Sequence, residues 1–151
     1  MFEERLGKVF EEKKLEDLQD KLDELDLPVI PYDITLNEMQ ILLAYHGNML
    51  AYLFSNLELV NMEEKKAKTN LDNLYSELYN AVQKRNSELK SVMIKQTVLG
   101  SAAYIEAQKE LTDVQSLQAT LKAKISALQE QNVSLRKIAS IKGIEIEHSL
   151  D

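Results

Sequence analysis

Cysteine is absent from the 151 residues, which excludes disulfide staples, iron–sulfur clusters and thiolate zinc sites and fits a reducing compartment. Proline occurs twice and glycine four times, leaving few places for the tight turns of a compact many-element fold. The glycines stand alone at Gly7, Gly47, Gly100 and Gly143, so there is no glycine-rich phosphate loop, and no serine sits in a nucleophile elbow. Only two histidines occur, His46 and His148, far apart and outside any His-Glu-x-x-His spacing. His46 reads as a half-buried helix residue and His148 as a solvated one. Carboxylate pairs such as Asp23 with Glu24 and Glu63 with Glu64 fall on solvated helix faces with nothing apolar arranged to raise a pKa. The expectation is a non-enzymatic protein with no catalytic residue, metal site or cofactor. A long apolar run is also missing: Met1 to Phe10 is charged, so neither a signal peptide nor a membrane anchor is expected, and the chain reads as soluble and cytoplasmic.

What is present is helix-forming sequence, 28% charged and 44% hydrophobic. In residues 1–26, Leu6, Val9, Phe10, Leu15, Leu18, Leu22 and Leu25 step by threes and fours, predicting a short acidic helix with one apolar edge. Pro28 and Pro31 then make residues 27–35 a linker or docked extended segment. Thr35-Leu36-Asn37-Glu38 fits a capping box, and from there to Lys95 about sixty residues carry no proline and one glycine. At ~1.5 Å per residue such a helix is about 90 Å long, too long to bury in a compact monomer. Its first half is broadly apolar, and Met39, Leu43, Leu50, Leu53 and Leu57 are the candidate oligomer interface. The thinner stripe of Leu71, Leu74, Leu78 and Val82 calls for a single antiparallel partner.

That partner is the end of the same chain. Residues 96–102 carry β-branched residues, Gly100 and a potential cap in Ser101, predicting a hairpin turn. Beyond it Leu111, Leu121, Ile125, Leu128, Asn132 and Leu135 form the candidate hairpin seam, in which the polar Asn132 reads as a register or oligomer-state device. Residues 36–142 are thus expected to form one long antiparallel helical hairpin, an all-α coiled coil that assembles into a homo-oligomer. Gly143 should end the last helix, leaving residues 143–151 as a tail in which Ile144 to His148 alternates as a short strand would, or simply frays.

Charge is segmented along the chain. Of the net −7, residues 1–26 contribute ten acids against five bases, whereas residues 100–142 hold four acids and six bases. Lys65, Lys66, Lys68, Lys84, Arg85, Lys122, Lys124, Arg136 and Lys137 are candidate nucleic-acid-binding residues, with Tyr45, Tyr52, Tyr75, Tyr79 and Tyr104 adding aromatic surface. The same residues also suit a solvated coiled-coil exterior with tyrosines packed between helices.

In layout the chain resembles the phage recombination-mediator family, the UvsY-like proteins. The resemblance rests on Leu15-Glu16-Asp17-Leu18-Gln19, one long middle helix, Lys95-Gln96-Thr97-Val98-Leu99 before the last amphipathic helix, and the terminal Lys142-Gly143-Ile144-Glu145-Ile146-Glu147-His148. It implies a ring of small helical subunits in the host cytoplasm that binds single-stranded DNA and helps load a recombinase onto it. The DNA-binding candidates above come from charge and not from this resemblance. The alternative is a coiled-coil scaffold or structural assembly protein that binds no nucleic acid.

Overall fold

The computed structural model describes residues 18, 20–22, 30 and 33–149, with side chains up to residue 143. Three helices account for nearly all of these: α1 (Leu36–Arg85), α2 (Ser91–Leu99) and α3 (Ala102–Ser149). No strand occurs among the described residues. The chain divides into two compact units, one of Met1–Glu58 with Ala119–Asp151, the other of Leu59–Gln118.

In the first unit α1 begins on the expected capping box. Thr35 Oγ1 accepts from the Glu38 amide at 3.2 Å, and Glu38 Oε2 accepts from the Thr35 amide at 3.1 Å, so two backbone donors at the helix start are satisfied reciprocally. The α1 seam then runs through buried Met39, half-buried Leu42, and buried His46, Met49, Leu53 and Asn56, at alternating steps of three and four. The α3 seam runs through Leu121, Ile125, Leu128 and Leu135, also buried. Ile34, Met39 and Leu135 form a core with Leu42, Leu43, Ile138 and Ala139 packed on it. Lys142 Nζ donates to the Ile34 carbonyl, and His46 meets Asn132. As residue numbers rise from Ile34, just before α1, to His46 within it, their α3 partners fall from Lys142 to Asn132, so the two helices are antiparallel. Each leucine buried in this way contributes about 1.5–3 kcal/mol. Leu18 and Leu22, one helical turn apart in a helical stretch, are buried as well.

The second unit contains the hairpin bend. Val60, Leu71, Ile94, Val98, Leu111, Val114 and Leu117 are its buried apolar residues. Tyr75 packs on Tyr79 and edge-on to Tyr104, with ring centroids 6.1 Å apart in each pair. Between α2 and α3, Ser101 Oγ accepts from the Tyr104 amide at 3.3 Å, capping α3, and donates to the Val98 carbonyl at 2.7 Å. Gly100 has ordinary right-handed geometry, but a Cβ there would lie 3.3 Å from the Gln96 carbonyl oxygen.

Two sequence expectations are corrected. The long helix does not reach Lys95: α1 ends at Arg85 and α2 follows after residues 86–90. Asn86 Oδ1 accepts from the Glu88 amide at 3.2 Å, and the Leu89 amide donates to the Asn86 carbonyl at 3.3 Å. A short polar side chain thus offers the backbone an alternative to the helical ladder, and two successive weak helix formers, Asn86 and Ser87, accept it. The C-terminal segment, in turn, is not a strand. α3 continues through Gly143 to Ser149, with Gly143 costing only about 1 kcal/mol against alanine. A lone strand would leave its ladder unpaired, whereas a helix pairs its own backbone. Most of the expected acidic helix at 1–26, residues 27–29, 31 and 32 of the linker, and residues 150–151 lie outside the described residues.

Candidate interaction surfaces and polar layers

Among the described residues, each unit has a polar contact reaching across its helix pair. In the first, His46 is not half-buried, as its sequence context suggests, but fully enclosed, and its Nδ1 lies 2.6 Å from Asn132 Oδ1. With the amide oxygen facing the ring, Nδ1 donates to it, which leaves Nε2 on the far side of the ring. That Nε2 is buried without a hydrogen-bond partner. In the second unit Gln118 Nε2 donates to Asn61 Oδ1 at 2.5 Å and to Glu64 Oε2 at 2.7 Å, while Lys68 Nζ pairs with Glu64 Oε1 at 2.9 Å. The hydrogen bonds from Lys68 and Gln118 hold the Glu64 carboxyl below its ordinary value, and Glu64 in return raises Lys68. Asn132 and Gln118 stand in the α3 seam and both reach across to α1, as polar groups in such seams must when water is excluded.

The outward face of α1 in the first unit is unusual for its lack of charge. From Met39 to Leu57 no charged residue occurs. Ile41, Ala44, Tyr45, Asn48, Ala51, Tyr52 and Ser55 share one exposed face at heptad spacing, and Ile41 is 64% exposed. Of the candidate interface residues, Met39 and Leu53 are enclosed within the chain itself and Leu43, Leu50 and Leu57 are half-buried. The surface left for a partner is therefore this neighbouring stripe. Sequence reading merged the two, because over five turns both are apolar and no charge separates them.

Comparisons with known proteins identify no relative. No family model, no curated protein and no solved structure matches this chain. The surface must therefore be read from its own chemistry.

The basic candidates are scattered. Lys65, Lys66, Lys68, Lys84 and Arg85 are exposed in the second unit, and Lys122, Arg136 and Lys137 in the first, where Lys124 is half-buried. Lys66 pairs with Glu63 at 3.8 Å and Lys68 with Glu64, so two members of the 65–68 cluster face carboxylates on their own helix. No cluster of three or more His, Cys, Asp or Glu able to hold a metal ion occurs among the described residues, and no helix there is long and apolar enough to cross a membrane. The seam residues Leu111, Leu121, Ile125, Leu128 and Leu135 are buried and Asn132 half-buried. The His46–Asn132 contact was beyond sequence reading, although both residues interrupt apolar seams and an antiparallel register would have matched them.

Proposed function

We propose that the chain is a helical assembly protein, an adaptor or scaffold that works by self-association and not by catalysis. The observation that carries this reading is the uncharged exposed face of α1 from Ile41 to Ser55. A helix face that stays in water normally carries charge, and contiguous exposed apolar surface marks an interaction site. A face without charge also lets copies of a chain of net charge −7 meet without apposing like charges. Sedimentation of the wild-type chain and of the Tyr45→Glu, Tyr52→Glu double variant tests it. The wild type is expected to sediment as an oligomer and the variant as a folded species of 17.3 kDa. A wild-type chain that stays monomeric at micromolar concentration overturns the reading.

A recombination-mediator role adds single-stranded DNA and a recombinase as partners. Exposed Lys65, Lys84, Arg85, Lys122, Arg136 and Lys137 support it, while the ion pairs of Lys66 and Lys68 weaken the 65–68 cluster as a phosphate contact. Binding of oligo(dT) that falls steeply with salt would favour this role over a pure scaffold.

A further inference from the structure

The bend of the second unit differs in chemistry from the rest of the chain. Between Lys84 and Ile105 there are four bases, Lys84, Arg85, Lys90 and Lys95, against one acid, Glu88, in a protein whose total is −7. All four bases are exposed, and among the described residues none of them meets a carboxylate. The same stretch exposes large aliphatic side chains. α2 buries Ile94 and Val98 on its inner face and presents Val92 and Leu99, 64% and 40% exposed, as an i, i+7 ridge on the outer one. Lys95 borders that ridge, Met93 is exposed beside it, and Ile105 is exposed one turn into α3.

We propose that this basic, aliphatic bend is a docking surface for an acidic amphipathic helix of a partner protein. Charge selects the occupant: an apolar ridge bordered by unpaired cations complements a helix with leucines on one face and carboxylates beside them. The chain's own acidic stripe is not that helix, because Leu18 and Leu22 are already buried in the first unit. Nucleic acid fits less well, since bases stack on aromatic rings and the exposed apolar residues here are aliphatic. The one aromatic in the stretch, Tyr104, is half-buried against Tyr75. Met93, unbranched and polarizable, adapts to side chains of varied shape. This surface shares no residue with the uncharged face of α1 and stands or falls independently of self-association.

The test uses the full chain and a synthetic amphipathic helical peptide with a leucine stripe flanked by glutamates, alongside its Glu-to-Gln counterpart, oligo(dT) and anionic phospholipid vesicles. Titration at low salt should show binding of the acidic peptide, weakened by added salt and largely absent for the Gln peptide. Leu99→Ser with Val92→Ser, and separately Lys90→Glu with Lys95→Glu, should each weaken it by about tenfold or more. Circular dichroism of both variants should match the wild type, and Lys21→Glu, an exposed lysine of the first unit, should bind as the wild type does. No peptide binding at low salt, equal binding of the Gln peptide, or binding insensitive to the Lys90 and Lys95 changes overturns the proposal. So does tight binding to vesicles or oligo(dT) with none to the peptide.

Discussion

His46 Nδ1 and Asn132 Oδ1 approach to 2.6 Å between α1 and α3, a hydrogen bond joining residues 86 positions apart. Removing one partner strands the other in an apolar layer, so His46→Leu and Asn132→Leu singly should each destabilise the chain by about 1–3 kcal/mol. The double replacement should recover most of that loss, because an apolar pair leaves nothing unsatisfied. Urea unfolding of the four proteins measures the coupling; additive single effects would show that the two residues do not depend on each other.

α1 passes through Gly47 without a break, and a Cβ built at Gly47 meets nothing within 4 Å. Gly47→Ala should therefore stabilise the chain by about 0.5–1 kcal/mol, as helix propensity dictates where there is no steric cost. Thermal unfolding gives the answer, and a lower midpoint would mean that the glycine is required for close approach of another chain.

The α1 capping box joins Thr35 and Glu38 reciprocally. Thr35→Ala should cost about 0.5–2 kcal/mol. Hydrogen exchange should quicken first at the amides of residues 36–39, and unchanged protection there would contradict the role given to the threonine.

Glu64 lies below its ordinary carboxylate value, chiefly because Lys68 and then Gln118 hydrogen-bond its charged form. Its stabilising contribution is complete above the ordinary carboxylate range and is lost as pH falls through the depressed value. Lys68 is raised, chiefly by its hydrogen bond to Glu64, so its contribution is complete below the ordinary lysine range and is lost as pH rises through the raised value. At neutral pH the pair is intact. Gln118→Ala should move the Glu64 titration upward in an NMR pH series, and an unmoved titration would show that the amide adds nothing.

Helix was legible in the sequence because its signals are local: the Thr35–Glu38 box, the three-four rhythm of α3 and the Ser101 cap each depend on a few neighbouring residues. The break at Asn86 was not, since asparagine and serine are tolerated inside helices and the contacts of Asn86 with Glu88 and Leu89 mark the stop. Ile144 to His148 misled because alternation resembles a strand, yet without an adjacent strand the helix wins. At the candidate surface, composition revealed that the early part of α1 is too apolar to stand alone. Which of its stripes is consumed inside the chain is a tertiary fact, settled when Met39 and Leu53 turn inward and Tyr45 and Tyr52 outward.

The bend at residues 86–101 also bears on the order of folding. Within the two units, the contacts between earlier and later parts of the chain close progressively larger loops: Tyr75 with Tyr104 near the bend, then Gln118 with Glu64 across 54 residues, His46 with Asn132 across 86, and Lys142 with Ile34 across 108. Once the tyrosines have met, each later contact closes only the short remaining gap, whereas nucleation at the far end would close the largest loop at once, at about 0.6 kcal/mol for each doubling of length. The chain is therefore built to zip from its bend, and slow steps in its refolding should respond to substitutions around Tyr75 and Tyr104 before those near Ile34.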